Sequence, residues 1–139
     1  QRQGLEDILE LSLDEGRQHQ LRFDVSRTWD LWERNNMSVD ATLHYPDEPG
    51  FRAGTCHAFQ AYSLSNRNAL NLIERTTHIA EFGLFDAKYL DLNLEDALGA
   101  SEAIVNVVRE ERGDLTLLFH TGLKPSTEIQ FLSELLDLV

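Results

Sequence analysis

Two side chains of this sequence stand in surroundings that favour chemistry. Arg52 lies between Gly50 and Gly54, where the backbone can turn sharply and present a planar cation. His120 follows the apolar run 115–119, and a histidine at the end of such a strand can serve as a general acid or base near neutral pH. An arginine on a tight turn and a histidine at a strand end together indicate an enzyme cleft.

Both residues also fit purely structural roles. The guanidinium of Arg52 can tie its own loop to the body of the fold through hydrogen bonds. The imidazole of His120 can satisfy carbonyl groups of the loop that follows it. The residues themselves leave these alternatives open.

Three more polar residues are candidates for substrate binding. Residues 17–23 alternate as a short strand does, which places Arg17 and His19 on one side. If that side lines the cleft, both residues reach it, and otherwise they lie at its rim. Asp40 falls in the short predicted strand 39–43, where its carboxylate can pair with one of these cations.

The elements that must position these residues alternate between helices and strands. Helical spacing and capping residues predict four helices. The first ends before Gly16 and the second carries Trp29 and Trp32. The third runs from Asn93 to Gly113, and the fourth begins at Ser126. Beside the strands already named, extended pieces are expected at 58–64 and 71–79, and loops at 45–50 and 121–125. This alternation indicates βα units and an α/β fold.

The helical faces give the expected core. The helix from Asn93 should turn inward an apolar stripe formed by Leu94, Ala97, Ser101, Ile104 and Val108. The last helix should turn inward Ile129, Leu132, Leu136 and Val139. The spacing of Trp29 and Trp32 favours packing over a platform for sugar rings.

Composition excludes several classes of function. The formal net charge of −12 and the absence of a basic stripe argue against nucleic acid as a partner. No apolar run approaches the length of a membrane-spanning helix. The single cysteine, Cys56, cannot form an internal disulfide, and the histidine spacings match no metal motif.

The order of the motifs resembles the polysaccharide deacetylases with a NodB-homology domain, of the kind found among bacterial surface-polysaccharide genes. The similarity covers about 16–121, and its most specific block is Gly50-Phe51-Arg52-Ala53-Gly54-Thr55. The other blocks are Arg17-Gln18-His19-Gln20-Leu21-Arg22-Phe23-Asp24, Thr28-Trp29, Asp40-Ala41-Thr42-Leu43 and Leu118-Phe119-His120. The resemblance implies that residues 1–139 form the C-terminal part of a single deacetylase domain, a partial distorted (β/α) barrel without its N-terminal strands.

The resemblance also implies an activity and roles for residues. Members of the family hydrolyse acetyl groups on carbohydrates with a divalent metal, zinc or a similar ion. Arg52 matches the arginine that positions the catalytic carboxylate, and His120 matches the general acid that protonates the leaving group. Arg17, His19 and Asp40 would contribute to binding the carbohydrate substrate.

The sequence departs from the family pattern in two respects. The Asp-Asp motif and the paired-histidine motif, which supply the catalytic base and the metal ligands, are absent, so these groups are expected upstream of Gln1 and no metal ligand is assigned here. Glu81 stands where an aspartate is more usual. Two alternatives are a catalytically inactive NodB-like domain that binds a saccharide or a partner, and a small α/β interaction domain complete as it stands.

Overall fold

The computed structural model describes residues 2–120, 122 and 125–139. The chain divides into two units, one of Gln1–Leu43 with Phe59–Arg75 and one of His44–Ala58 with Thr76–Val139. We name them the four-stranded unit and the two-stranded unit after their sheets. Both combine helices with strands, which confirms the α/β class. In the described residues neither sheet closes into a barrel.

The four-stranded unit contains a mixed sheet and two helices. Its elements are α1 (Arg2–Leu9), β1 (Glu15–Gly16), a 3-10 turn (His19–Leu21), α2 (Thr28–Arg34), β2 (Val39–Asp40), β3 (Phe59–Ser63) and β4 (Asn68–Glu74). The strand order is β1-β2-β4-β3, in which only the pair β3–β4 is antiparallel. The sequence predicted extended chain at 58–64, but it did not predict that β3 and β4 form a hairpin.

Apolar residues of α2 and the hairpin form the core of this unit. The buried members are Trp32, Ala61, Leu70 and Leu72, with Trp29 packed against them. The Trp29 ring lies edge-on to Phe59, with 6.1 Å between ring centroids. The prediction that the two tryptophans pack against the body of their unit is confirmed.

The predicted strand at residues 17–23 is wrong. The strand β1 ends at Gly16, and Gln20 and Leu21 have φ angles of 60° and 49°, which no strand can contain. The segment contains no β-branched residue, so alternation alone did not predict a strand correctly. Leu21 is buried whereas His19 is exposed, and the two therefore do not share one face.

The two-stranded unit is built on one parallel strand pair. Its elements are β5 (Ile79–Ala80), α3 (Glu81–Phe85), α4 (Leu94–Glu111), β6 (Leu117–Leu118) and α5 (Ser126–Asp137). Ile79 pairs with Leu117 and Ala80 with Leu118. The helix α4 crosses from the first strand to the second, as a βα unit requires. The predicted strand at 115–119 is confirmed in a shorter form.

The helix α4 follows its sequence signals closely. The side chain of Asn93 accepts a hydrogen bond from the backbone N–H of Asp96, which caps the first turn. The buried residues of this helix are Ala97, Ser101, Val105 and Val108, close to the predicted stripe. The prediction of this helix and of most of its inward face is confirmed.

The predicted inward face of α5 is wrong. The buried residues are Phe131 and Leu135, whereas Ile129 and Leu136 are 57% and 58% exposed. The edge-on contact of Phe131 with Phe85, at 5.2 Å between ring centroids, fixes the rotation of the helix. Both candidate faces have helical spacing, so the pattern alone could not choose between them.

The loop predicted at 121–125 falls largely on residues 121, 123 and 124, which lie outside the described residues. Within residues 2–120, 122 and 125–139, no helix combines the length and apolar composition needed to cross a bilayer.

The close approach of Gly113 to Cys56 gives a stability prediction. A Cβ at position 113 would lie 2.3 Å from the Cys56 Sγ atom and 2.9 Å from its carbonyl oxygen. Gly113→Ala should therefore lower the free energy of unfolding by about 1–3 kcal/mol, measured by urea denaturation.

Gly99→Ala is the matched control, because a Cβ there meets nothing within 4 Å and the residue lies in the middle of α4. This variant should gain up to about 1 kcal/mol of stability, since alanine is the better helix former. Equal effects of the two substitutions would contradict the packing described for Gly113.

Candidate functional site

Glu81 and His120 meet at one end of the parallel strand pair. Glu81 comes directly after β5, and His120 follows β6 by two residues. Because the carboxyl ends of parallel strands lie at the same edge, two residues 39 positions apart in sequence become neighbours. The edge that carries His120 is the one at which α/β proteins bind their ligands.

The carboxylate of Glu81 holds His120 at two points. Its Oε1 atom accepts a hydrogen bond from the backbone N–H of His120 at 3.0 Å and lies 2.5 Å from the imidazole Nδ1 atom. A carboxylate only accepts, so Nδ1 carries the proton. The side chain of Glu81 is 1% exposed, whereas that of His120 is 57% exposed. The imidazole is thus fixed from the inside and reachable from the outside.

One aromatic ring contacts His120. The ring of Phe82 lies 5.9 Å from the imidazole of His120 and 6.3 Å from that of His44, measured between centroids. Tyr89 packs on the same phenylalanine at 5.8 Å. Phe82 therefore covers part of the His120 ring and leaves the rest exposed.

Arg52 lies in the same unit as His120. The backbone N–H of Gly54 donates to the carbonyl of Phe51, which makes a turn with Arg52 near its apex. Gly54 has a φ of 72°, so one of the two glycines does supply the left-handed conformation. The Nη1 atom of Arg52 donates to the carbonyl of His44 at 2.6 Å. This bond ties the loop to its own unit, the structural role that the sequence left open, and the catalytic role of Arg52 stays a prediction.

His44 links Arg52 with the surroundings of His120. Its carbonyl accepts the Arg52 bond, its Nδ1 atom donates to the carbonyl of Thr77 at 3.0 Å, and its ring contacts Phe82. His44 is 1% exposed, so it supports the site from below the surface.

A second buried histidine, His78, is held in the neutral form. Its Nδ1 atom accepts the backbone N–H of Thr116 at 3.2 Å, so its Nε2 atom donates to the hydroxyl of Thr76 at 2.9 Å. Burial is the main reason that the pKa of His78 falls to about 4, and the neighbouring His44 contributes. His78 is therefore uncharged at neutral pH. Its hydrogen bond to Thr116 joins the residues that precede β5 and β6.

Asp40 belongs to a different cluster, in the four-stranded unit. The parallel register of β2 and β4 places Asp40 beside Glu74, and both residues are 0% exposed. Asp40 accepts from the backbone N–H of Thr42 at 3.0 Å and from the hydroxyl of the same threonine. Glu74 accepts from the indole N–H of Trp29 at 2.7 Å and from the backbone N–H of Leu43 at 3.2 Å.

The two carboxyl groups lie side by side out of contact with solvent, so ionising both is costly and one of them keeps its proton. Burial, together with the negative charge of Asp40, raises the pKa of Glu74 to about 8. Burial also raises the pKa of Asp40, although its bonds to Thr42 and the nearby Arg17 act in the opposite direction. Glu74 is accordingly the partner that keeps the proton.

The remaining predicted site residues lie in the four-stranded unit. The Nε atom of Arg17 donates to the carbonyl of Ala41 at 2.9 Å, and its charge is attracted to Asp40. The expected pairing of Asp40 with a cation stays a prediction. His19 is exposed in the 3-10 turn. The structure brings Arg17 and Asp40 together in one unit, and Arg52 and His120 lie in the other.

In the part of the chain that the structure describes, no three histidine, cysteine, aspartate or glutamate side chains converge in a way that could hold a metal ion. The residues present here do not fit a metal centre by themselves.

Sequence reasoning missed two acidic residues that the structure brings to these clusters. Glu81 was noted only as a departure from the family pattern, and Glu74 was not noted at all. The signal for Glu81 is its position directly after a short apolar strand, which matches that of His120. Glu74 gives no such signal, because its partner is fixed by the register of two parallel strands.

The buried carboxyl pair predicts a pH dependence of stability. The pKa of Glu74 is 4.5 in the unfolded chain and about 8 in the folded protein. At a pH above 6.5, the ordinary pKa of histidine, the unfolded Glu74 has therefore lost its proton, while the folded residue keeps it up to about pH 8. The folded state thus binds more protons, and the free energy of unfolding should fall as the pH rises toward 8. Below 6.5 the lowered pKa of His78 acts in the opposite sense.

Glu74→Gln should remove this fall, because the glutamine side chain has no proton to lose in this pH range. Urea denaturation across this range measures the difference from the unmodified chain. Glu102→Gln, in an exposed position of α4, is the control and should keep the original pH profile. A Glu74→Gln profile as steep as the original would show that Glu74 does not keep its proton in the folded protein.

Compared with models of protein families, with curated proteins and with solved structures, the chain gives no match in any of the three. The resemblance to the polysaccharide deacetylases therefore rests on the motifs quoted from the sequence, and it stays a prediction.

Proposed function

We propose that this chain is part of a carbohydrate deacetylase, a hydrolase that removes acetyl groups from sugars, with a partial (β/α) barrel of the NodB type. The observation that carries the proposal is the pairing of His120 with Glu81 at the carboxyl ends of two parallel strands. A histidine held by a buried carboxylate and exposed on its other side is the arrangement that proton transfer to a substrate requires.

His120 acts as the general acid in this proposal. With Nδ1 bound to Glu81, the free edge of the imidazole presents Nε2 to the substrate, and the carboxylate stabilises the imidazolium form. When the tetrahedral intermediate of amide hydrolysis collapses, the carbon–nitrogen bond breaks and the Nε2 proton passes to the departing nitrogen. The products are acetate and a free amine.

Glu81 is a positioning residue for this step. It fixes the ring through both the backbone and the side chain of His120, and its own side chain is 1% exposed. The aromatic contact with Phe82 limits rotation of the imidazole further. Proton transfer needs such a fixed direction, because a misplacement of about 1 Å can cost about a hundredfold in rate.

The divalent metal implied by the resemblance has no ligand set among the described residues. In this proposal its ligands and the catalytic base belong to the upstream part of the parent protein. The contribution of this chain is the proton donor and the surface that orients it.

The proposal predicts a specific loss of activity in the intact parent protein. His120→Ala should lower turnover of an N-acetylglucosamine oligosaccharide by about 100- to 10,000-fold, since a general acid contributes about that factor. Released acetate measures turnover, and the metal content of the purified protein should stay nearly unchanged. His57→Ala removes an exposed histidine of the same unit and should leave turnover as it was.

Two results would contradict this assignment. Loss of bound metal in His120→Ala would make the histidine a ligand and not an acid. Full turnover in His120→Ala would exclude it from the reaction altogether.

A further inference from the structure

A cavity in the four-stranded unit is lined by two arginines, Arg27 and Arg34. It has a volume of about 360 Å³ and is lined by Ser26, Arg27, Asp30, Leu31, Arg34 and Ser65. Four of these residues are spaced three and four apart along α2 and its start, so they share one face. We call it the α2 cavity. Its volume is within the usual range for a small-molecule site.

Neither arginine has its donor groups committed to a partner. Among the described residues, the guanidinium groups of Arg27 and Arg34 make no hydrogen bond and no ion pair. By contrast, Arg2 and Arg75 are each bound to a glutamate. The lining of the cavity contains these two cations and one carboxylate, that of Asp30, so it is net positive in a chain with a net charge of −12.

The acidic groups nearby are already engaged. Asp30 is 8% exposed and accepts a hydrogen bond from the side-chain amide of Asn66 at 2.9 Å. Asp24, which attracts Arg27, accepts from the hydroxyl of Ser26 at 2.6 Å and from its backbone N–H at 2.8 Å. These bonds hold the carboxylates, while the arginine donors stay available to a ligand.

Bonds to the β3–β4 turn keep the cavity in shape. The hydroxyl of Ser65 donates to the carbonyl of Ser26 at 3.1 Å, and Asn66 binds Asp30 on the same helix. The hydroxyl oxygens of Ser26 and Ser65 still have lone pairs that can accept from a ligand. Leu31, 51% exposed, adds an apolar patch between the two arginines.

We propose that the α2 cavity binds the carboxylate of an acidic sugar unit, with Arg27 and Arg34 as its anion-binding residues. The planar guanidinium groups match a carboxylate, the serine oxygens match sugar hydroxyls, and Leu31 matches the C–H face of the ring. A single acidic unit fits better than a polyanion, which the negative charge elsewhere on the chain would repel. The choice of a sugar rests on the proposed deacetylase function, while the preference for an anion rests on the two arginines.

The test is a titration of the isotope-labelled chain, followed by NMR, with sodium glucuronate, methyl glucoside and inorganic phosphate at low and high ionic strength. Glucuronate should bind with saturation and shift the amide signals of the α2 cavity, more weakly at high salt. The neutral methyl glucoside should bind at least about tenfold more weakly, because it lacks the charge-assisted hydrogen bonds. Phosphate should bind more weakly than glucuronate, since it has no C–H face to place against Leu31.

Variants identify the residues responsible. Arg27→Gln and Arg34→Gln should each weaken glucuronate binding about tenfold or more. Arg22→Gln, an exposed arginine outside the cavity, is the control and should leave binding unchanged. Both test positions are exposed, so the variants should fold as the original chain does.

Three results would overturn the proposal. They are equal binding of glucuronate and methyl glucoside, phosphate binding at least as tight as glucuronate, and equal weakening in Arg22→Gln. The titration needs no turnover, so a failure of the deacetylase assignment at His120 is read separately from a failure here.

Discussion

The parallel pairing of β5 and β6 is the constraint on which the candidate site depends. Two short strands, held in register through Ile79–Leu117 and Ala80–Leu118, bring Glu81 to His120. The apolar cluster of Ile79, Leu84, Ala97, Val105, Phe131 and Leu135 covers this pair and fixes it against the helices. Without that register, the buried carboxylate and the exposed imidazole would be two unrelated side chains.

The four-stranded unit uses parallel register for a different purpose. The pairing of β2 with β4 sets Asp40 beside Glu74 inside the protein, where two negative charges would be costly. The proton that Glu74 keeps removes that cost, and the indole N–H of Trp29 donates to the Oε2 atom of Glu74. Asp40 is therefore buried within the sheet, and its expected role in binding substrate stays a prediction.

The sequence predicted the elements better than their pairing. Asn93 and Gly113 marked the ends of α4, and Trp29 and Trp32 marked the buried side of α2, because capping and helical spacing are local properties. The face of α5 depends on a contact between Phe131 and Phe85, and the shape of 17–23 depends on left-handed residues, so neither follows from local pattern.

The same distinction applies to the site. Arg52 and His120 were identified from their positions at a turn and a strand end. Glu81 and Glu74 acquire their roles only through partners 39 and 34 residues away along the chain, and a single sequence contains no record of such register. The resemblance to the deacetylases implies a general-acid role for His120 but no role for Glu81.

The most direct test is nitrogen NMR of the His120 imidazole in the unmodified chain and in Glu81→Ala. We expect the neutral ring to carry its proton on Nδ1, with a signal protected from solvent exchange by the bond to Glu81. In Glu81→Ala, which has no acceptor at this position, that protection should be lost. A proton on Nε2 in the neutral ring, or an unchanged Nδ1 signal in the variant, would show that Glu81 does not hold His120 for proton transfer.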